Sequence, residues 1–148
     1  FHDYLISKTY VASNNNMTMP EGLIKSTQQL LNANHKVILV YPIPCAEHHI
    51  VHELNKASFS INDIKPTPYS KYMERTKQSY LLFDSIQHPN LYRVYPHKLF
   101  CNNQIKGSCV SHDDKNIFYV DTDHPSTAGA KMIVELIMKK IDAISPIS

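Results

Sequence analysis

No run in the sequence approaches the roughly 18 consecutive apolar residues that a membrane-crossing helix requires, and its first residues do not read as a secretory signal. Net charge is also scarce: 15 lysines and arginines stand against 13 acids for a balance of +2, and the nine histidines add to it only in acid. Neither nucleic acid nor an acidic membrane surface is implied as a partner. Repeats and low-complexity tracts are absent. The chain opens on Phe1 rather than methionine, which leads us to expect a piece of a longer protein with any membrane or targeting segment outside it. Cysteine is limited to three residues, which cannot all pair internally. Cys101 and Cys109 bracket a short polar loop whose Gly107 lets the chain fold back. They form either a disulfide, as an oxidising compartment favours, or two reduced surface thiols, and Cys45 is left over.

What is present is ordinary globular composition, 148 residues with 43% hydrophobic and 19% charged content, enough for one domain or part of one. Phe1 to Tyr10 gives no period, and Ser13 to Asn16 reads as loop. Pro20 and Glu21 suit the start of a helix whose stripe of Leu23, Ile24, Thr27, Leu30 and Leu31 runs to about Asn34. Val37 to Tyr41 is a continuous, mostly β-branched run, the pattern of a strand buried on both faces of a parallel sheet. Pro42 and Pro44 stop it and lead into a loop from Cys45 to about Thr67. Tyr69 to Ile86 carries Tyr72, Met73, Thr76, Tyr80, Leu81 and Phe83 at helical spacing, and Leu91 to Tyr95 reads as a short strand. A long polar connection from Pro96 to Asn116 follows, then a brief apolar run, Ile117 to Val120, that reads as extended. The final helix, Thr127 to Ala143, sets Met132, Ile133, Leu136, Ile137, Ile141 and Ile144 opposite Lys131, Glu135, Lys139 and Asp142. Strands separated by helices predict an α/β fold, a three-layer α/β/α sandwich with a parallel sheet.

The chemistry concentrates in Asp121-Thr122-Asp123-His124. A histidine acting as general base needs a partner that fixes which ring nitrogen carries the proton, and a carboxylate three residues earlier can do so if the turn curls back. Asp121 is therefore ranked first and Asp123, adjacent to the histidine, second. Spacing alone equally suits a plain loop with capping residues, Ser126 being a good N-cap. In a rival set, His48 and His52 share a helix face and Cys45 or Glu47 could complete a tetrahedral zinc site, although a histidine-rich exposed loop is the commoner explanation.

The stretch Phe118 to Ala130 resembles the final block of SGNH hydrolases, in which Asp-x-x-His supplies the acid and base of a Ser-His-Asp triad. It is similar in particular to SGNH domains fused behind membrane acyltransferase domains (acyltransferase 3 type) that O-acetylate bacterial surface polysaccharides. Lys36 to Pro44 is similar to that family's strand ending in Pro-x-Pro, Tyr72-Met73-Glu74-Arg75 to its helix, and the Cys101 and Cys109 pair also fits. The likeness spans about Asn34 to Met138, and it implies Asp121 and His124 as catalytic residues with no cofactor and no metal. It further implies an acyl donor and a carbohydrate acceptor as partners, an amino-terminal membrane acyltransferase domain, and a place at the periplasmic or extracellular face of the bacterial inner membrane.

The departures are equally definite. The family's Gly-Asp-Ser nucleophile block occurs nowhere in this sequence, and Phe83-Asp84-Ser85 sits out of order within a helical pattern. The glycine and asparagine blocks of the oxyanion hole are not recognisable, and Pro125 replaces the usual leucine after the histidine, a change compatible with a helix start. The expectation is that residues 1–148 form the carboxyl-terminal part of one SGNH-type domain, inactive alone because the base has no serine to activate. The implied reaction is O-acyl transfer to a polysaccharide hydroxyl. A carbohydrate esterase of the same fold, or a non-catalytic carbohydrate-binding or structural module, is the alternative.

Overall fold

The computed structural model describes residues 18–56 and 60–144; the aperiodic opening from Phe1 to Tyr10 and the loop at Ser13 to Asn16 lie outside them. Along the chain come α1 (Met19–Asn32), β1 (Val37–Val40), α2 (Ile50–Leu54), a single 3-10 turn (Ile61–Asp63), β2 (Thr67–Pro68) and α3 (Tyr69–Ser85). They are followed by β3 (Leu91–Val94), α4 (His97–Phe100), β4 (Ser108–Cys109) and α5 (Thr127–Ile144). Strands β1 and β3 pair in parallel across a helical crossover, the α/β arrangement expected. Strands β2 and β4 pair antiparallel, with Thr67 opposite Cys109 and Pro68 opposite Ser108. Contacts group the described residues into two units, one reaching Tyr41 and including Arg75–Arg93, the other comprising Pro42–Glu74 and continuing from Val94.

In the first unit α1 begins at a capping box. The Thr18 hydroxyl accepts from the Glu21 N–H while the Glu21 carboxylate accepts from the Thr18 N–H, so two orphan donors are satisfied together. The helix ends where Asn34 turns left-handed at φ 62°. The N–H groups of Asn34 and His35 then return to the carbonyls of Leu31 and Leu30, at 3.0 and 3.1 Å, and reverse the chain into β1. Tyr41, fully buried, donates its hydroxyl to Asp84 and accepts from Arg93 Nε at 3.1 Å, and the same guanidinium donates to the Ile86 carbonyl at 2.6 Å.

The second unit is built on Ala46, Ile50, Ile64, Phe100, Val110, Phe118 and Tyr119, with Met132 and Ile133 of α5 packed against them. Cys101 and Cys109 are disulfide-bonded, resolving the two alternatives in favour of the bridge. Asn102 at φ 60° and Gly107 at φ 77° turn the intervening loop, and the Asn102 side chain accepts from the Gly107 N–H at 2.7 Å. A second tight turn follows. Asp113 accepts from the N–H groups of Lys115 and Asn116 at 2.8 and 2.7 Å, so Phe118 returns antiparallel to Ser111, its N–H 2.8 Å from the Ser111 carbonyl.

Several expectations need correction. The loop after Pro44 contains α2 and the 3-10 turn, and the polar connection after Pro96 contains α4 and β4; each is too short to show a helical or alternating period. Ile117 to Val120, expected to be extended, joins no ladder; Ile117 and Tyr119 make isolated antiparallel bridges, to His112 and Pro125. Helix α3 buries Tyr72, Thr76 and Ser79, whereas Met73 and Leu81 are exposed, so its inner face is more polar than apolar spacing suggests. Strand β1 is not sealed on both faces, since Val40 remains 39% exposed.

Two outcomes test this packing. Gly129 lies where an added Cβ would run into the backbone carbonyl of Phe118. Gly129→Ala should therefore lower stability in urea unfolding by about 1–3 kcal/mol, although alanine is the better helix former. Peptide mass mapping without reductant should return Cys101 and Cys109 in one linked species; two separate alkylated thiols would contradict the fold of this hairpin.

Candidate active site

Residues 119–126 form a closed loop between the Ser111–Phe118 hairpin and α5. Its base is fastened by the Val120 N–H donating to the His124 carbonyl at 2.9 Å and the Ser126 N–H donating to the Phe118 carbonyl at 2.8 Å. Ser126 is the N-cap of α5: its hydroxyl donates to the Ile117 carbonyl and accepts from the Gly129 N–H at 3.2 Å. Capping and the Asp-x-x-His arrangement thus coexist in one loop rather than competing as explanations of it.

Asp121 uses its two carboxylate oxygens differently. Oδ1 accepts from the N–H groups of Asp123 and His124, at 2.9 and 2.7 Å, and this curls the turn. Oδ2 then lies 2.7 Å from His124 Nδ1. Asp123 approaches the same nitrogen only to 3.5 Å, and its Oδ1 also accepts from the Thr122 hydroxyl at 3.2 Å. The side chain of His124 is 72% exposed, those of Asp121 and Asp123 27% and 41%. With Nδ1–H given to Asp121, the neutral ring keeps Nε2 as its basic atom, and among the described residues nothing hydrogen-bonds that nitrogen.

The electrostatics follow from these bonds. The backbone N–H groups of Asp123 and His124, then the imidazole, hold the Asp121 carboxyl far below the usual carboxylate range. The hydrogen bond that His124 donates to Asp121, then the charges of Asp121 and Asp123, raise the His124 imidazole above its ordinary value. A lowered carboxyl stabilises the fold above its unfolded value, near 4, and loses that contribution as pH falls through the folded one. The raised imidazole contributes below about 6.5 and its contribution disappears as pH rises through the folded value. The pair's contribution to stability is therefore fully present from about pH 4 to 6.5, and the neutral, basic form of His124 accumulates only as pH rises through its raised folded value.

The loop is held from behind by the segment after β1. Tyr119, buried, donates its hydroxyl to the Pro44 carbonyl at 2.6 Å, and burial pushes its ionisation well above the usual tyrosine range. The Ala46 N–H donates to the Thr122 carbonyl at 2.8 Å. Neither contact is legible in the sequence, because each joins residues more than 70 positions apart. The rival zinc set does not assemble. Among the described residues the metal-ligating side chains that converge are Asp121, Asp123 and His124, while Glu47 pairs with Lys71 at 2.8 Å and His49 Nδ1 accepts from the His52 N–H at 3.3 Å. Ser85 donates to the Leu82 carbonyl at 2.7 Å within α3.

An NMR titration of the chain should find His124 with a midpoint above about 6.5 and Nδ1–H as its neutral tautomer. Asp121→Asn should lower that midpoint clearly and Asp123→Asn only slightly; the reverse order would transfer the pairing to Asp123.

A family model described as SGNH domain (fused to AT3 domains) matches residues 2–139. No curated protein and no solved structure matches the chain. The match extends well beyond the Asp121–His124 loop, across both units of the α/β fold, and the chain belongs to the SGNH domain family of hydrolase fold whose members are fused to AT3 domains.

Proposed function

We propose that this domain performs O-acyl transfer, with His124 as general base and acid and Asp121 as the group that orients and stabilises its imidazolium. The observation that carries the reading is the 2.7 Å Asp121–His124 contact on a largely exposed ring. In a serine-dependent reaction Nε2 takes the serine proton as the hydroxyl attacks the acyl donor, then returns it to the leaving group. A carbohydrate hydroxyl, deprotonated by the same nitrogen, next attacks the acyl-serine, and the serine oxygen leaves and takes the proton back from His124. In this reading residues 1–148 are the carboxyl-terminal part of the SGNH domain and its serine lies outside the described residues. The acceptor is a bacterial surface polysaccharide, O-acetylated at the periplasmic or extracellular face of the inner membrane, where the full-length protein's membrane acyltransferase domain places it. The Cys101–Cys109 disulfide supports an oxidising compartment.

In the full-length protein, His124→Ala should abolish transfer of the acyl group to carbohydrate. Asp121→Asn should cost on the order of 10⁴-fold in kcat, because the ring would lose its correct tautomer, and Asp123→Asn far less. Greater damage from Asp123→Asn would refute the assignment. Unchanged release of free acid without acylated carbohydrate would assign an esterase, and activity indifferent to His124 would leave a carbohydrate-binding module.

A further inference from the structure

We propose that Thr67 is a positioning residue for the Asp121–His124 pair, acting through the single peptide group that joins Cys45 to Ala46. The inference rests on the acid–base reading above and concerns how that pair keeps its geometry. Asp121 meets Nδ1 only while its other oxygen holds the N–H groups of Asp123 and His124, so the shape of the turn decides the contact. The carbonyl in the middle of that turn, Thr122, is anchored by the Ala46 N–H at 2.8 Å. The Ala46 N–H and the Cys45 carbonyl belong to one planar peptide and point in opposite directions. The carbonyl end accepts the Thr67 hydroxyl, also at 2.8 Å.

One planar unit is thus gripped at both ends, by Thr67 on one side and the catalytic turn on the other. Rotating the plane about its flanking Cα atoms would swing the Ala46 N–H away from Thr122, and the Thr67 hydroxyl opposes that rotation. Accepting a hydrogen bond at the carbonyl also polarises the peptide and makes its N–H a better donor. Thr67 is well placed to resist. It is buried, it stands opposite Cys109 in the β2–β4 pair, Cys109 is covalently tied to Cys101, and the Tyr69 N–H donates to the Gly107 carbonyl at 2.9 Å. The disulfide hairpin, through this one hydroxyl, gives an exposed loop a rigid backing.

The test is ¹H–¹⁵N NMR of His124 in the full chain, following its titration midpoint and the exchange of its Nδ1–H proton with water. In Thr67→Val, isosteric but without the hydroxyl, exchange should quicken about tenfold, as expected from losing one ordinary hydrogen bond that holds a local structure closed. The midpoint should move toward that of Asp121→Asn. Thr67→Ser should restore both readouts, and Leu31→Ala, a core truncation in the other unit, should leave both unchanged despite its cost in stability. Should the valine variant not fold, Thr67→Ala removes the same hydroxyl and gives the same readout. If the valine or alanine variant leaves His124 unaltered while Asp121→Asn moves it, Thr67 only packs and the proposal is overturned. An equal response to Leu31→Ala overturns it as well, as general loosening. If Asp121→Asn itself moves nothing, the pairing beneath the acid–base reading fails, and the positioning role falls with it.

Discussion

The segment Pro42–Ala46 sets the constraint on which the second unit depends. Its two prolines bring no N–H, so the chain cannot continue as a paired strand, yet Pro44 is fully buried and its carbonyl must find a donor. The donors come from side chains scattered along the sequence: Tyr72 to the Pro42 carbonyl at 2.9 Å, Tyr119 to Pro44 and Thr67 to Cys45. An unmet buried carbonyl costs about 1–3 kcal/mol, so each hydroxyl is held in place by the penalty of withdrawing it. In satisfying this short stretch, the chain brings together the start of α3, strand β2 and the end of the Ser111–Phe118 hairpin. The same segment then holds the Asp121–His124 turn through the Ala46 N–H, bonded to the Thr122 carbonyl.

That backing matters because the Asp121–His124 pair cannot rely on burial. Exposed ion pairs contribute little on their own, since water screens them and the side chains lose freedom in meeting. Here the carboxylate has lost that freedom before it meets the ring, because two backbone N–H groups fix Asp121 through its other oxygen. What remains to be ordered is one imidazole rotor. An exposed base is also what the proposed chemistry requires: Nε2 must be reachable by a serine hydroxyl and then by an acceptor, so rigidity has to come from the covalent turn and its backing.

The sequence was legible where a local rule dominates. Proline and glutamate at the start of α1, the β-branched run of β1, the helical spacing of α5 and the Asp-x-x-His turn are each decided within a few residues, and each is where it was expected. The α1 boundary moved by one residue because Thr18 and Glu21 form a reciprocal cap, so that Pro20 becomes the second helical residue. Legibility failed where structure is set by partners far along the chain. Thr67 and Pro68 count as a strand only because Ser108 and Cys109 lie opposite, and no two-residue segment has a period to read. The polar face of α3 was misread for a related reason: Thr76 and Ser79 are buried by neighbours that spacing does not reveal, while Met73 and Leu81 lie outside. Asp121 and Asp123 both precede His124 closely, and the choice between them turned on which one the backbone N–H groups of the turn face.

In the proposed chemistry, an acyltransferase and an esterase would differ outside the Asp121–His124 pair. His124 would deprotonate a sugar hydroxyl or a water with the same nitrogen, and Asp121 would stabilise the same imidazolium in either case, so the pair contributes equally to both outcomes. Selectivity for transfer must arise from holding the acceptor hydroxyl at the acyl-serine while excluding water, which belongs to surfaces that line the acceptor's approach. A ring that is 72% exposed within this chain supplies little of that exclusion itself. In the proposed reaction the Asp121–His124 pair and its backing would account for basicity and orientation, and the choice of acceptor would be sought in the groups that enclose His124 when the acceptor is bound.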